Sequence, residues 1–209
     1  MIAGVLRLSR ADIKALKITD AYSLHRVVYD LFEDVRSEED KRASKASGIL
    51  YADKGGDFSH RQILFLANRM PQQPQHGELG KLIPIPDGFL QHERYRFEVT
   101  VNPTKREKAS KRLVPIRGRE AVAEWFMAKA PDAWGFSVDS SSLQVLKLTV
   151  REFDKQGHAV TQGQASLQGV LTVTDRSRFI TSFQQGIGRG RAFGCGLLQI
   201  VPMMNPFDL

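Results

Sequence analysis

Cysteine is almost absent: Cys195 is the single one among 209 residues. That excludes an internal disulfide framework and a cysteine-rich metal site. No run of about 18 apolar residues occurs, so no helical membrane span is expected. Met1 to Arg10 has neither a long apolar core nor a small-residue cleavage site, so no signal peptide is expected and the cytoplasm is the expected compartment. His60, His76, His92 and His158 are scattered without ligand spacing. No metal or other cofactor is expected from them. Low-complexity tracts and short repeats are also lacking. What remains is an ordinary globular composition, 42% hydrophobic and 25% charged. The length suits one large domain or two of about 100 residues each.

Charge is present in excess of one sign, and its placement matters more than its size. The formal net charge is +7, and seven basic residues face one acidic residue between Pro103 and Arg119, a local +6. The basic residues are Lys105, Arg106, Lys108, Lys111, Arg112, Arg117 and Arg119. A patch this concentrated favours a phosphate backbone as partner, against the alternative of a solvated loop that binds nothing. By contrast, Lys41, Arg42 and Lys45 are balanced by Glu38, Glu39 and Asp40, and read as a solvated run.

Glycine is concentrated in one place. Gly186-Ile187-Gly188-Arg189-Gly190-Arg191-Ala192-Phe193-Gly194-Cys195-Gly196 holds five glycines in eleven residues. Such density suits positive φ or close approach, either to neighbouring backbone or to a polyanion. The interleaved Arg189 and Arg191 suit the second use, since guanidinium groups pair well with phosphates. The segment is not a P-loop, because no Gly-Lys-Ser/Thr follows, and it does not fit G-x-G-x-x-G. Cys195, between glycines and apolar neighbours, reads as a packing residue.

Periodicity predicts the elements. Residues 2–9 read as a strand, and 21–34 as an amphipathic helix capped by Thr19-Asp20. Residues 33–47 read as a charged surface loop, then 48–52 and 62–67 as strands joined by a turn at 54–57. Residues 71–90 read mostly as loop, with one short helix and an edge strand. A strand at 94–101, a helix at 119–130, strands at 143–153 and 165–173 around a turn at 154–157, a helix from Asp175 to about Gln185 and a strand at 195–201 complete the chain. The second half therefore has the order β-α-β-β-α-β, and the first shows the same opening. The expected class is α+β, two tandem ferredoxin-like (RRM-like) domains. The first, 1–90, carries the helix at 21–34; the second, 91–209, carries the basic segment and the glycine loop.

On that first helix Tyr22, His25 and Tyr29 stand at i, i+3 and i+7 and share a face. One reading is a half-buried polar edge with satisfied hydrogen bonds. The other is proton transfer, since imidazole titrates near neutral pH at about 6.5 and can both take and give a proton. RNA would bring its own nucleophile, the ribose 2′-hydroxyl, and would need a base, an acid and cations but no metal.

With this architecture the motifs resemble a known family. Gly-Ile-Gly-x-x-x-x-x-Gly-x-Gly closing a tandem ferredoxin-like chain resembles the CRISPR-associated RAMP superfamily. Tyr22-Ser23-Leu24-His25 with Leu31-Phe32, and Asn102-Pro103 leading to Arg112-Leu113-Val114-Pro115, are similar to the CasE (Cse3) endoribonucleases. The likeness runs from the first strand to Pro202; the charged loop 33–47 and the tail from Met203 depart from it. It implies an endoribonuclease that cuts CRISPR repeat RNA beside a stem-loop and stays bound to the hairpin in a Cascade complex. It implies His25 as the leading acid–base residue with Tyr22 as companion. Arg26 is a candidate for the scissile phosphate. Lys105, Arg106, Lys108, Lys111 and Arg112 would follow the hairpin stem. Gly186, Gly188, Arg189, Gly190, Arg191, Gly194 and Gly196 would bind the backbone. Two alternatives stay open: a non-catalytic RNA-binding RAMP subunit, and an unrelated nucleotide-binding ferredoxin-like protein.

Overall fold

The computed structural model describes residues 1–43, 45–57, 59–155 and 157–203. Its first half comprises β1 (Ile2–Ser9), α1 (Arg10–Ala15), α2 (Ala21–Tyr29), α3 (Glu38–Arg42), β2 (Ile49–Gly56), β3 (His60–Ala67), β4 (Glu78–Leu79) and β5 (Ile83–Pro84). The sheet order is β2-β3-β1-β4, all antiparallel, with β5 also pairing β1. The second half comprises β6 (Arg94–Val101), β7 (Thr104–Arg106), β8 (Leu113–Pro115), α4 (Arg119–Trp134), β9 (Phe136–Val138), β10 (Gln144–Lys155), β11 (His158–Val173), α5 (Arg176–Gln185) and β12 (Gln199–Pro202). Its sheet order is β10-β11-β6-β12, with β9 added on β11. Both halves thus show the ferredoxin-like strand order, in which the first strand lies between the third and the fourth.

Alternation along β2 and β3 decides how the halves meet. Ile49, Tyr51, Ile63, Phe65 and Ala67 turn to one face and pack with Leu24, Val28, Leu31 and Phe32. Leu50, Ala52 and Leu66 turn to the other and join Phe97, Val99, Leu197 and Leu198 of the second half. The first sheet is therefore covered on both faces, which is why Ile63-Leu64-Phe65-Leu66-Ala67 is a continuous apolar run. Each such Leu or Phe contributes about 1.5–3 kcal/mol through burial. Polar contacts tie the same seam. Tyr51 Oη donates to the Ala192 carbonyl at 3.0 Å, and Lys54 pairs with Glu98 at 2.7 Å. Asp53, with its side chain 10% exposed, lies between Arg61 at 2.6 Å and Arg151 at 3.5 Å. The Arg176 guanidinium holds the Leu90 and His92 carbonyls of the connecting segment.

Several elements differ from the sequence reading, for local reasons. Helix α2 ends at Tyr29 rather than 34, because Leu31 and Phe32 fold back into the core through a tightened turn (Phe32 N–H to Tyr29 O, 3.0 Å). Helix α1 was not expected; the Ser9–Asp12 capping box starts it. Helix α4 runs through Pro131 to Trp134 and is stopped by left-handed Gly135. Strands β10 and β11 extend to Lys155 and His158, beyond the expected hairpin, and Gln156 of the expected turn lies outside the described residues. The turn after β2 moves to Asp57, since that strand continues through Gly56. The last strand starts at Gln199, not Cys195, because positive φ at Gly194 and Gly196 breaks the extension. The basic segment is no open loop: β7 and β8 form a small hairpin. The tail beyond Met203 lies outside the described residues. Among the described residues no helix is long and apolar enough to cross a membrane.

Candidate active site

Helix α2 starts at a capping box between Asp20 and Ser23. Ser23 N–H and hydroxyl both donate to the Asp20 carboxylate, which holds that carboxyl below its ordinary range. Leu24 and Val28 anchor the helix in the core and so fix the outward direction of its other face. There the His25 ring lies 4.1 Å from the Tyr29 ring and 6.1 Å from the Tyr22 ring, centroid to centroid. The third aromatic neighbour of His25 is Phe193, at 5.6 Å, which comes from the glycine loop of the other half. Phe153 of β10 packs on Phe193, with ring centroids 4.7 Å apart. Tyr29 Oη is within hydrogen-bond distance of Ser47 Oγ, 3.0 Å.

The glycine loop is built largely by its own bonds. Ile187 N–H donates to Gly196 O at 2.9 Å, and Gly196 N–H to Thr100 O at 2.7 Å. Gly186, Gly188, Gly190, Gly194 and Gly196 all have positive φ. At Gly190 a Cβ would collide with Gln162 Nε2, so the end of that buried side chain would have to shift; at Gly188 (φ +71°) space is open and only the backbone conformation favours glycine. Cys195 is buried, and burial pushes its thiol up to about 12, out of nucleophilic use at neutral pH. The Gln162 and Gln164 amides both reach its sulfur at 3.4 Å.

A groove of about 1050 Å³ runs between the halves. His25 and Tyr29 line it with Arg189, Arg191 and Phe193 of the glycine loop, and with Arg36, Lys41 and Lys45 of the charged loop. Among the described residues that line it there is no carboxylate. Elsewhere among the described residues, no three His, Cys, Asp or Glu side chains form a group able to hold a metal ion. The basic hairpin joins this site through its root: Asn102 bridges Arg189, and Ile116 N–H closes on Pro103 O at 2.9 Å. Lys105, Arg106, Lys108, Lys111 and Arg112 are all exposed on it.

The candidate residues are thus only partly gathered. His25, Arg189, Gly190 and Arg191 share the groove; Tyr22 touches His25 without lining it. Arg26 is exposed and lies outside the groove lining. Gly186, Gly194 and Gly196 pack against Leu50, Tyr51 and Ile187 respectively. Arg191 donates to Gln185 O at 2.9 Å, so part of its guanidinium serves the end of α5. Sequence reasoning missed Phe193, Arg36, Lys41 and Lys45. The lone aromatic within the glycine loop was a usable signal; the balanced charges of the loop concealed the other three.

A family model described as CRISPR associated protein matches residues 5–202. This chain belongs to that family. Within it, the motifs around Tyr22 and His25 and the glycine loop resemble those of the CasE (Cse3) members. The chain is similar to the CRISPR-associated endoribonuclease Cse3 of Thermus thermophilus, 28% identical over 120 residues. That aligned stretch spans 53% of this chain and about half (56%) of the relative's length. Its fold is similar to that of the Cse3 endoribonuclease bound to a 19-nucleotide RNA: TM-score 0.79, 19% identity, 97% of this chain and 100% of that one. A chain of a CRISPR RNA-guided surveillance complex has the same fold, with TM-score 0.65, 19% identity and 97% and 100% coverage.

Proposed function

We propose that this CRISPR-associated protein is a metal-independent endoribonuclease that cuts precursor RNA in the CRISPR repeat, on the 3′ side of the stem-loop. The observation that carries the proposal is the meeting of His25 with Phe193 and Arg189 from the other half in one groove lined by cations and, among the described residues, by no carboxylate. The ribose 2′-oxygen attacks the adjacent phosphorus and the bond from phosphorus to the 5′-oxygen breaks. One proton leaves the 2′-hydroxyl and one reaches the departing 5′-oxygen. The products are a 2′,3′-cyclic phosphate and a 5′-hydroxyl. His25, with Tyr22 stacked on it, handles those protons, a task worth about 10²–10⁴ in rate. Arg189 and Arg191 offset the charge of the crowded phosphorane, with Arg26 as a further candidate.

The exposed hairpin carrying Lys105, Arg106, Lys108, Lys111 and Arg112 would follow the RNA stem by shape and backbone, since A-form RNA hides its bases in a deep, narrow major groove. Gly186, Gly188, Gly190, Gly194 and Gly196 hold the loop that presents Arg189 beside it. The working division is 1–90 for the His25 domain and 91–209 for the stem-binding domain. The surveillance-complex likeness supports continued residence on the hairpin with Cascade subunits as partners, and the cytoplasm is the compartment proposed for it.

Repeat RNA with one 2′-deoxyribose at the cut site tests the chemistry. It should bind as tightly as native RNA and remain uncut, while native RNA is cut equally well in EDTA. Cutting of the deoxy substrate, or inhibition by chelator, would make water or a metal-bound hydroxide the nucleophile and refute the mechanism.

A further inference from the structure

The segment between Glu33 and Ser47 holds five acidic and four basic residues and by composition has no preference for a polyanion. Its geometry sorts the two signs. Arg36, Lys41 and Lys45 line the groove that contains His25, and none of the five carboxylates does. We infer that this loop is a phosphate-binding rim, in which Arg36, Lys41 and Lys45 leave their carboxylate partners for phosphates of the single RNA strand beside the cut. The inference rests on reading the groove as an RNA cleavage site, and adds three cations to the Arg189 and Arg191 that line the same groove.

The present partners are cheap to leave. Arg36 is paired with Asp34 at 2.9 Å, Lys41 with Glu38 at 2.7 Å and Lys45 with Asp40 at 3.1 Å. In each pair at least one side chain is 40% or more exposed. Exposed pairs such as those of Lys41 and Lys45 contribute about 0–1 kcal/mol, and the bidentate Arg36–Asp34 pair lies at the upper end of that range. A phosphate offers the Arg36 fork the same bidentate geometry that Asp34 now gives it, at 2.9 and 3.1 Å, and adds the entropy of released counterions. The rim is also held in place. Arg69 donates to the Glu33 and Ser47 carbonyls at 2.8 Å each, so one guanidinium closes both ends of the loop. Its own position is fixed over the Phe32 ring, 5.8 Å from the centroid. Ser47 in turn meets Tyr29, the aromatic neighbour of His25. Both ends of the rim are therefore tied to the acid–base helix or its neighbours.

The test uses full-length protein and CRISPR repeat RNA from the same genome, with a 2′-deoxyribose at the cut site, in two forms: with its single-stranded flanks and as stem-loop only. Binding is measured against salt. The triple variant Arg36→Ala/Lys41→Ala/Lys45→Ala should flatten the slope of log affinity against log salt by about 1.4–2.1 for flanked RNA, two to three contacts at about 0.7 each. The stem-loop form should show no change. Asp34→Asn, which frees Arg36 while Lys41 keeps Glu38, should tighten flanked RNA by about 1.4- to 5-fold, an exposed pair's 0.2–1 kcal/mol. An unchanged slope in the triple variant overturns the rim, and so does an equal change with both RNAs, which would mean a diffuse field. If wild-type protein binds neither RNA, the RNA cleavage reading itself fails, and the rim with it.

Discussion

Gly188 and Gly190 share a backbone conformation and differ in what surrounds them, and that difference can be measured. Both have positive φ, +71° and +77°. Alanine at either position must adopt the left-handed region, at a cost of about 1–2 kcal/mol. At Gly188 nothing lies within 4 Å of a new Cβ, so the cost ends there. At Gly190 the Cβ would overlap the Gln162 amide, which is 4% exposed and reaches Cys195 Sγ at 3.4 Å. Displacing a buried amide from its partner adds about 1–3 kcal/mol. For a chain of this size each 1 kcal/mol moves Tm by about 2–4 °C. Gly188→Ala should therefore lower Tm by roughly 2–8 °C, and Gly190→Ala by about twice as much. Calorimetry with urea titration measures both. The decisive comparison is a cycle: in a Gln162→Ala background, Gly190→Ala should cost no more than Gly188→Ala, because the colliding amide is gone. Equal costs at the two glycines in the wild-type background would refute the packing argument and leave backbone conformation as the sole reason for glycine at 190.

Three further outcomes are expected. His25→Ala should reduce cleavage of repeat RNA by about 10²–10⁴ while hairpin affinity stays near wild type, and Tyr22→Phe should slow it less because the ring stack survives; single-turnover assays check both. Lys111→Ala with Arg112→Ala should weaken binding across hairpins and flatten the salt slope by about 0.7–0.9 per lost contact, and an unchanged slope would place these side chains in bulk water. Asp53 is pushed up by burial, but the hydrogen bond and charge of Arg61, helped by Arg151, outweigh that and hold it below its ordinary range. Its stabilisation is therefore present above about pH 3.9 and lost as pH falls through the folded value. Asp53→Asn should destabilise by about 1.5–3 kcal/mol at pH 7, and the gap to wild type should shrink below about pH 4.

How much of this was readable depended on whether the deciding interaction was local. Helix α2 announced itself through Asp20, Leu24 and Val28, and with it the shared face of Tyr22, His25 and Tyr29, because spacing alone sets that face. The second half was legible as β-α-β-β-α-β, since its strands and helices follow clear periods. The two short helices were missed although Ser9-x-x-Asp12 and Ser37-x-x-Asp40 both spell a capping box. The rim cations were illegible for a different reason. Charge balance in sequence says nothing about which side of a loop each sign occupies, and the loop's ends are held by Arg69, more than 20 residues downstream of Ser47. Phe193 meets His25 through long-range contacts that hold its turn, among them Tyr51 to the Ala192 carbonyl, 141 residues apart in the chain.

The first sheet, buried on both faces, makes the two halves one cooperative unit. A fragment ending near residue 90 would bare Leu50, Ala52 and Leu66 to water, an apolar sheet face that invites association with other chains. The pairing of His25 with Phe193 then reports on the docking of the whole molecule. A single unfolding transition should carry loss of structure and loss of cleavage together, and any lesion that loosens the seam, however far from the groove, should be read first as lost catalysis.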